Sequence, residues 1–539
     1  MRSQIWTVPL LVASFLLGSV GAMRRGGMLS EAVRREREMR AAAPALNPVQ
    51  NLETRAASHR FYTNDTKGLA VSEYFVESLP EMDFDLGELY SGVIPIDANN
   101  ASRGLFFVFQ PRVGAPVDEI TIWLNGGPGC SSLEGFLQEN GKFQWAWGQF
   151  TPTINHYSWV NLTNMLWVEY PVGVGFSIGE SRATTEEGIA EEFNDFFLNF
   201  QIIFGISKFK IYVTGESYAG RYVPYIASGM LDRNDSTHFN LSGALTYNPT
   251  IGELLWVQNQ AVIYPLLQQN TNVMGYNKSF MAKLAALDKS CGYADYRETY
   301  FKFPPARLQP PKYFNSTRDA DCDIWHTAYF AAYATNPCFN PYLISLQCPL
   351  QGDPLGFPSD LIYSYPGVPV YFNRTDVKKA MHAPIDREWS LCNGNPFLGR
   401  KGGPQNLGDL SADPIQRVLP RVIEATQRVL ISNSDLDFET PTAGTQLAIQ
   451  NMTWGGKLGF QTKPSKLITI TEPDLQYEAV FTSSGFDDVD DPQGTMGVQH
   501  FERGLMWAET YYCGHMQPQF QPRSSYRHLQ WLLGHIDTL

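Results

Sequence analysis

Residues 209–220 read FKIYVTGESYAG, an apolar run that leads into a serine flanked by small residues. The apolar half predicts a buried β-strand, and the Gly-x-Ser-x-Ala-Gly half predicts a nucleophile elbow. Such an elbow is a sharp turn that holds the side chain of Ser217 above the end of a sheet. Because the turn is strained, small residues are needed beside the serine, and Gly215 and Ala219 provide them. The stretch therefore predicts an α/β fold with a candidate nucleophilic serine.

Two later segments supply groups that would activate this serine, in the chain order serine, acid, histidine. Residues 429–438 read VLISNSDLDF, an apolar strand that ends in Asp435 and Asp437. Residues 512–518 read YCGHMQP and place His515 in a short loop. A serine hydroxyl needs a base to take its proton, and the base needs a third group to orient it. The alternatives are a solvated histidine, aspartates that cap a helix, and a serine in an ordinary turn.

An upstream segment, ITIWLNGGPGCSS at 120–132, is a second apolar strand that enters a glycine-rich loop. Backbone N–H groups of such a loop can stabilise the oxyanion of a tetrahedral intermediate, together with the N–H of the residue after the nucleophile. Gly127 and Tyr218 are the candidate donors. The alternative is a glycine-rich turn with no chemical role.

At these residues the chain resembles a known family, the serine carboxypeptidases, and in particular their secreted fungal members. The resemblance runs from about Tyr90 to the C-terminus. The matching strings are WLNGGPGCSS (123–132), YPVGVGFS (170–177), GESYAG (215–220) and GHMQP (514–518). The resemblance implies an α/β-hydrolase fold, in which helices flank a central, mostly parallel sheet.

The resemblance also implies a role for each of the candidate catalytic residues. Ser217 would be the nucleophile, His515 the base and Asp437 the partner of the base. The family pattern near the acid is Gly-Asp-x-Asp, but Ser434 stands here in the place of the glycine. Asp435 therefore stays open as the alternative acid.

An enzyme that trims C-termini must bind a free carboxylate, and an unpaired charge is costly to desolvate. Asn125 can donate through its side-chain amide, and Gly126 through its backbone N–H. The resemblance adds Glu139 and Glu216 as carboxylate-recognising groups. Crowded carboxyl groups cannot all ionise cheaply, so we expect them to be protonated, to donate, and to favour activity at acidic pH. Otherwise Glu216 is a favourable charge at a helix N-terminus, and Glu139 is a solvated helix residue.

The N-terminus has the composition of a processing segment. Residues 1–22 predict a signal peptide, because a basic start and an apolar stretch of 14 residues precede a small-residue cleavage site. Residues 23–55 are charged and helix-favouring, and we interpret them as a removed pro-segment of a zymogen or as an ordered extension. We expect secretion out of the cell, with delivery to an acidic vacuole as the alternative, and we find no membrane anchor in the sequence.

Secretion agrees with the sequons and the cysteines. Seven cysteines predict three disulfides and one free thiol. The resemblance implies the pair Cys130–Cys392, closeness in the sequence suggests Cys338–Cys348, and Cys291–Cys322 is then left. Cys513 would be free, and bulky thiol reagents would inactivate the enzyme unless this thiol is buried and inert. Nine sequons predict glycosylation at Asn64, Asn100, Asn161, Asn234, Asn240, Asn277, Asn315, Asn373 and Asn451.

Composition and organisation limit the remaining choices. The chain has 539 residues and a net charge of −13, which argues against nucleic-acid binding. Apolar strands such as Glu119–Leu124 alternate with helices such as Glu186–Phe204 over 56–250 and 414–539, which predicts the two parts of the hydrolase core. No clear apolar run precedes the histidine loop. The alternation fails over 251–413, which we interpret as an insertion that caps the site. Because the sequence has no His-x-x-x-His or Cys-x-x-Cys pair, we expect no metal and no cofactor.

Together these features predict a secreted serine-type carboxypeptidase that acts on the C-termini of peptides and proteins through an acyl-enzyme. One alternative is an esterase or acyltransferase that uses the same three residues. Another is a non-catalytic secreted glycoprotein that keeps the fold. The carboxylate-binding residues favour the carboxypeptidase. The sequence leaves the side-chain preference and the oligomeric state open.

Overall fold

The computed structural model describes residues 60–61, 70–349, 352–356, 369–394, 396–398, 408–470 and 494–539. All of them belong to one compact unit, Ala56–Ile470 with Gly494–Leu539. The predicted signal peptide, the predicted pro-segment or extension, and the sequon at Asn64 lie outside the described residues. Within those residues, no helix has the length and the apolar character that a bilayer span requires.

A ten-stranded sheet carries the site, in the order β1-β2-β4-β3-β5-β6-β7-β10-β9-β8. The strands from β4 to β10 in this order are parallel. Antiparallel pairing adds two strands at each edge. The predicted mostly parallel sheet is therefore confirmed. Its strands are β1 Tyr90–Asp97, β2 Asn100–Gln110, β3 Glu119–Leu124, β4 Asn164–Val168, β5 Lys210–Glu216, β6 Leu241–Tyr247, β7 Val429–Ser434, β8 Lys466–Thr469, β9 Thr495–Glu502 and β10 Leu505–Thr510.

Helices cover both faces of this sheet. The first helix, α1, begins after Thr185, whose hydroxyl accepts a hydrogen bond from the N–H of Gly188. Gly205, with a φ of +62°, follows its last residue and caps its C-terminus. The helices are α1 Glu186–Phe204, α2 Ala219–Arg233, α3 Ala261–Gln269, α4 Thr271–Met274, α5 Lys278–Ser290, α6 Tyr293–Tyr300, α7 Ile324–Thr335, α8 Thr375–Ala380, α9 Val418–Thr426, α10 Thr442–Ile449, α11 Gln517–Phe520 and α12 Pro522–Leu533.

The alternating side chains of β3 divide the core into two hydrophobic clusters. Ile120, Ile122 and Leu124 belong to the cluster that includes the phenylalanines of α1. Trp123 belongs to the cluster that includes the apolar residues of α12. Because successive side chains of a strand point to opposite faces, both faces of the sheet are buried, as expected for parallel strands.

The sequence interpretation missed two strands that matter for the site, β6, which ends at Tyr247, and β10. No clear apolar run was expected before the histidine loop, but β10 lies directly before it and pairs with β7 in parallel. The run LMWAET is short and ends in polar residues, so its pattern is weak. Its burial comes from its neighbours in the sheet, which the sequence pattern does not reveal.

The described part of 251–413 contains several helices and a third hydrophobic cluster. That cluster lies mainly within 256–344 and includes Phe438 and Leu447 from the second half of the chain. Tyr371 and Trp389, by contrast, pack into the cluster beside α12. The structure therefore divides this stretch between two clusters. The boundaries proposed for a cap insertion stay a prediction.

Candidate active site

Ser217 lies in the turn between β5 and α2, with a φ of +61°. Its N–H donates to the carbonyl oxygen of Tyr247 at 2.8 Å, and its own carbonyl oxygen accepts from the N–H of Thr250 at 3.0 Å. These bonds hold the backbone in a conformation that non-glycine residues rarely adopt. At Gly215 a Cβ atom would lie 2.4 Å from the carbonyl oxygen of Leu124, so no side chain fits there. The local geometry is that of a nucleophile elbow.

Asp437 and His515 meet at the same edge of the sheet. The Oδ2 atom of Asp437 lies 2.7 Å from Nδ1 of His515, and both side chains are buried. Oδ1 of the same carboxylate accepts from the N–H of Glu439 at 2.8 Å, and Oδ2 accepts from the hydroxyl of Thr440 at 2.7 Å. The aspartate is therefore fixed on several sides and can orient the imidazole ring. Thr440 was not singled out from the sequence, although it follows the Asp-x-Asp string.

A short backbone link connects the histidine loop to the elbow. Asn248 follows the Tyr247 carbonyl that holds Ser217, and its amide donates to the carbonyl oxygen of His515 at 2.6 Å. Nε2 of His515 is buried and has no hydrogen-bond partner among the residues that the structure describes. This atom therefore forms no hydrogen bond with the hydroxyl of Ser217.

The environment of His515 changes its affinity for a proton. Burial by itself would lower its pKa, but the charge of Asp437 and the hydrogen bond to it outweigh burial and raise the pKa above its ordinary value. A neutral Nε2 can accept a proton, and the nearby carboxylate stabilises the imidazolium that results.

The two aspartates after β7 have different partners. Asp435 accepts from the N–H of Cys513 at 3.0 Å, whereas Asp437 contacts the imidazole of His515. Burial raises the pKa of Asp435. The geometry therefore favours Asp437, and not Asp435, as the group that orients the histidine.

The glycine-rich loop after β3 lies against the elbow. A Cβ atom added to Gly126 would be 2.5 Å from the backbone nitrogen of Tyr218 and 2.6 Å from Cβ of Ser217. The close approach of the two backbones needs a glycine at this position. Gly127, with a φ of +110°, follows in the same loop. The loop thus brings backbone groups beside the serine, where an oxyanion would form.

A disulfide fastens this loop to a distant part of the chain. Cys130 is bonded to Cys392, and the N–H of Ser131 donates to the carbonyl oxygen of Leu391 at 2.7 Å. The other two disulfides join Cys291 with Cys322 and Cys338 with Cys348. These are the three pairs that the sequence interpretation gave.

The remaining cysteine, Cys513, is free and fully buried. Burial raises the pKa of its thiol well above the ordinary value. Thiolates, not thiols, react with most reagents, so the geometry favours the buried and inert alternative over inactivation by bulky thiol reagents.

Next to the elbow, three carboxyl groups converge on one amide. Nδ2 of Asn125 lies 2.9 Å from Glu216, 3.1 Å from Glu139 and 3.3 Å from Glu134. The amide is held in place because its Oδ1 accepts from the indole N–H of Trp123 at 2.7 Å. Asn125, Glu139 and Glu216 are almost fully buried, whereas Glu134 is partly exposed. The sequence interpretation missed Glu134, although it lies in the stretch after the glycine-rich loop.

These carboxyl groups favour their protonated forms. Burial raises the pKa of Glu139 to about 7, and burial together with the charges of Glu139 and Glu134 raises the pKa of Glu216 well above its ordinary value. In the described part of the chain, Oε2 of Glu139 and Oε2 of Glu216 receive no hydrogen bond from the backbone or from a side chain other than a carboxyl, and a hydrogen bond between the two carboxyls affects the pKa of both. Protonated carboxyls could donate from these positions to an anionic ligand.

Residues from the predicted cap stretch adjoin the site. The rings of Tyr342 and His515 lie 5.0 Å apart, measured between their centres. The carbonyl oxygen of Tyr342 accepts a hydrogen bond from the backbone N–H of His515 at 2.7 Å. Asp353 accepts from the side chain of Gln138 at 2.8 Å, one residue before Glu139. These contacts were not expected from the sequence, because nothing in the local pattern pairs these positions.

The predicted glycosylation sites differ in exposure. Among the sequon asparagines that the structure describes, Asn161, Asn240, Asn373 and Asn451 are partly buried. Asn373 uses both ends of its amide, since Oδ1 accepts from the N–H of Trp389 and Nδ2 donates to the carbonyl oxygen of the same residue, each at 2.7 Å. The exposed sequon asparagines are Asn100, Asn234, Asn277 and Asn315.

Comparisons with known proteins agree with this fold. The Kex1(delta)p prohormone-processing carboxypeptidase from Saccharomyces cerevisiae superposes with a TM-score of 0.64 at 23% identity, over 86% of this chain and 96% of that one. That similarity concerns the fold, and it confirms the expected α/β-hydrolase fold.

Sequence relatives extend the comparison to activity. The chain is 56% identical over 503 residues to serine-type carboxypeptidase F of Aspergillus niger, with 93% of each chain covered. It is 39% identical over 512 residues to a probable serine carboxypeptidase of Arthroderma benhamiae, covering 92% and 91% of the two chains. A profile of the serine carboxypeptidase family matches residues 80–535. The chain therefore belongs to the serine carboxypeptidase family.

Proposed function

We propose that Ser217, His515 and Asp437 form the catalytic triad of this carboxypeptidase. The observation that carries the proposal is the 2.7 Å contact between Asp437 and His515, at the sheet edge that also bears the elbow serine. In this arrangement Asp437 keeps the proton on Nδ1 of the imidazole, so that Nε2 can act as a base.

In the first step Oγ of Ser217 attacks the carbonyl carbon of the last peptide bond, and its proton passes to Nε2 of His515. The backbone N–H groups of Gly127 and Tyr218 stabilise the oxyanion. The C–N bond then breaks, the imidazolium gives its proton to the leaving amine, and the C-terminal amino acid departs. In the second step His515 takes a proton from water and the resulting hydroxide attacks the acyl carbon. The bond to Oγ of Ser217 then breaks, the imidazolium returns its proton to Oγ, and the shortened peptide leaves as an acid.

The substrate's terminal carboxylate is held beside the elbow by the Asn125 amide, the Gly126 N–H and the carboxyl groups of Glu139 and Glu216. Protonated carboxyls can donate to this anion, whereas ionised ones would repel it. Since the pKa of Glu139 is raised to about 7, the binding form is present at acidic pH and is lost as the pH rises through 7. Acidic pH therefore favours substrate binding.

The carboxyl groups around Asn125 distinguish this function from an esterase or acyltransferase with the same triad. An enzyme that acts on neutral esters gains nothing from a buried group of acids that costs free energy to ionise. The sequence further supports secretion after removal of residues 1–22, glycosylation at exposed sequons, and an extracellular or vacuolar destination. The segment 23–55 is proposed to be a removable pro-segment or an extension, and 251–413 a cap.

The test compares a blocked dipeptide that has a free C-terminal carboxylate with the same dipeptide as its C-terminal amide. We expect kcat/KM for the acid to exceed that for the amide by at least about 100-fold, because the amide cannot make the charge-assisted hydrogen bonds. Ser217→Ala should abolish turnover of both substrates. Equal turnover of acid and amide by the native enzyme would refute the carboxylate assignment and would favour the esterase or acyltransferase.

A further inference from the structure

The chain contains three Asn-Gly pairs, and they differ in their exposure. They are Asn125-Gly126, Asn140-Gly141 and Asn393-Gly394. Asn125 and Asn140 are 1% and 0% exposed, whereas Asn393 and Gly394 are both exposed. The backbone nitrogen that follows an asparagine can attack the side-chain amide, and glycine obstructs this approach least because it has no Cβ atom. Asn393-Gly394 is therefore the pair that is open to this reaction and to the solvent.

The backbone of Gly394 has room to approach the side chain of the preceding residue. Its φ is +72°, and a Cβ atom added to it would meet nothing within 4 Å. Within the described ranges, its N–H donates no hydrogen bond to another backbone group. At Gly126 an added Cβ atom would lie 2.5 Å from the backbone nitrogen of Tyr218. At Gly141 it would lie 2.1 Å from the carbonyl oxygen of Phe136, so the backbones of the buried pairs are closely packed and cannot make the same movement.

The side chain of Asn393 is activated for such an attack. Its Oδ1 atom accepts a hydrogen bond from the hydroxyl of Ser390 at 2.8 Å. A donor at this oxygen withdraws electron density from Cγ and stabilises the negative charge that develops on the oxygen when a nucleophile adds. The Nδ2 atom belongs to an exposed side chain and forms no hydrogen bond with any described residue. It can therefore leave as ammonia without losing a contact.

We propose that Asn393 is a site of spontaneous deamidation, which converts it to isoaspartate and aspartate through a cyclic imide with Gly394. The nitrogen of Gly394 loses its proton to the solvent and bonds to Cγ of Asn393. The Cγ–Nδ2 bond then breaks, and Nδ2 takes up a proton and leaves as ammonia. Water adds to either carbonyl carbon of the ring and breaks the bond of that carbon to the nitrogen. Cleavage at the backbone carbonyl carbon gives isoaspartate, cleavage at Cγ gives aspartate, and no atom is oxidised or reduced.

The modified residue lies against the glycine-rich loop. The N–H of Asn393 donates to the carbonyl oxygen of Gly129 at 2.9 Å, and the disulfide to that loop is at the preceding residue. A Cβ atom added to Gly129 would lie 2.3 Å from the carbonyl oxygen of Gly394, so the two backbones are in contact. In isoaspartate the main chain runs through Cβ and Cγ, which lengthens it by one carbon, and a free carboxylate stays on Cα. The lengthened chain cannot keep both contacts with Gly129.

We therefore expect isoaspartate at position 393 to lower kcat. Gly129 lies two residues after Gly127, whose N–H is proposed to stabilise the oxyanion. Loss of one such donor costs about 10²- to 10³-fold in kcat. This effect on catalysis rests on the proposed function, whereas the deamidation itself does not.

The first test measures the modification in the Ser217→Ala variant, which should not digest itself. The folded protein is incubated for several days at about pH 5 and about pH 8, and its peptides are then mapped by mass spectrometry. Deamidation adds about 1 Da to a peptide, and an isoaspartate methyltransferase detects the isoaspartate. We expect the peptide with Asn393 to be modified at pH 8 and much less at pH 5, because the attacking nitrogen must lose its proton.

The two buried pairs are internal controls. In the folded protein Asn125 and Asn140 should stay unmodified, whereas in denaturant they should be modified at a rate similar to that of Asn393. A folded protein that keeps Asn393 intact at pH 8, while the unfolded protein is modified, would overturn the inference. Equal modification of the three asparagines in the folded protein would also overturn it.

The second test measures the native enzyme. After incubation at about pH 8, its activity on a blocked dipeptide acid is assayed at about pH 5, and the fraction of activity lost should match the fraction of isoaspartate at position 393. Asn393→Gln would have to close a larger ring, so this variant should start with native activity and keep it over the same period.

Equal losses of activity in Asn393→Gln and in the native enzyme would overturn the effect on catalysis. Full activity in a native preparation that is rich in isoaspartate would overturn it as well, and this measurement does not require the variant to fold. The proposed function is tested separately, because the acid-against-amide comparison uses freshly prepared enzyme.

Discussion

The protonation of Glu139 offers the sharpest test of how the substrate carboxylate is bound. Burial raises its pKa from an ordinary 4.5 to about 7, which corresponds to about 3 kcal/mol in favour of the neutral acid. Well above pH 7 each further pH unit reduces the protonated fraction about tenfold, and the fall between pH 7 and pH 8 is about fivefold. If only the protonated form donates to the substrate, KM for a peptide acid should rise by about fivefold between pH 7 and pH 8, because the protonated fraction falls from about one half to about one eleventh. The perturbation is Glu139→Gln, which provides a donor that does not titrate.

The assay measures the release of the C-terminal amino acid from a blocked dipeptide acid between about pH 5 and pH 8, with kcat and KM determined separately. We expect the rise in KM to be much smaller in Glu139→Gln than in the native enzyme. Glu191→Gln on α1 is the matched control and should show the native rise. The pKa of His515 is also raised, so kcat should fall as the pH drops in all three proteins.

Two results would refute this reasoning. A native KM that stays constant from pH 5 to pH 8 would mean that Glu139 is not a protonated donor. A rise in KM that is the same in Glu139→Gln would mean that another group, such as Glu216, titrates instead. The separation of kcat from KM is essential, because His515 and Glu139 impose opposite pH requirements.

Three further predictions follow from contacts elsewhere in the structure. Asp437→Asn should lower kcat by about 10³- to 10⁴-fold, whereas the neighbouring Asp435→Asn should lower it only a few-fold; similar losses in both would contradict the choice of Asp437. Mass spectrometry of the secreted protein should find glycan on exposed Asn277 but none on Asn373, whose amide is bonded to Trp389; occupancy at Asn373 would contradict this. Burial raises the pKa of Glu169 in the folded protein to about 7. The protonated carboxyl therefore favours the folded state, and this contribution to the free energy of unfolding is complete below about pH 4.5 and is lost as the pH rises through 7. The Tm should therefore be lower at pH 8 than at pH 4.5, and Glu169→Gln should reduce this difference in Tm. If the native protein and the variant show the same difference in Tm, Glu169 does not cause the loss of stability at high pH.

The parts of the fold that the sequence predicted are those with strong local patterns. Glu119–Leu124 and Glu186–Phe204 have the predicted limits, because a continuous apolar run and a periodic run with a good cap specify their own conformations. The missed strands β6 and β10 carry polar or small residues in short runs. Their pairing partners are far away in the sequence, so their burial depends on the completed sheet.

The candidate site likewise contains residues that strong local patterns predicted and residues whose roles depend on distant parts of the chain. Strings such as GESYAG could be interpreted without coordinates, because a strained turn restricts which residues can stand in it. The choice between Asp435 and Asp437 could not be made in that way. It depends on which carboxylate points at an imidazole 78 residues later in the chain.

By itself, the sequence determined the family, the elbow serine and the set of residues that can perform acyl transfer, because each rests on a contiguous string with its own backbone requirement. Only the tertiary structure decided which acid orients His515, that Cys513 is buried, and that Glu134 joins Glu139 and Glu216 on one amide. The physical reason is that hydrogen bonds, burial and pKa depend on distances between groups, and folding sets those distances for residues that the chain keeps far apart.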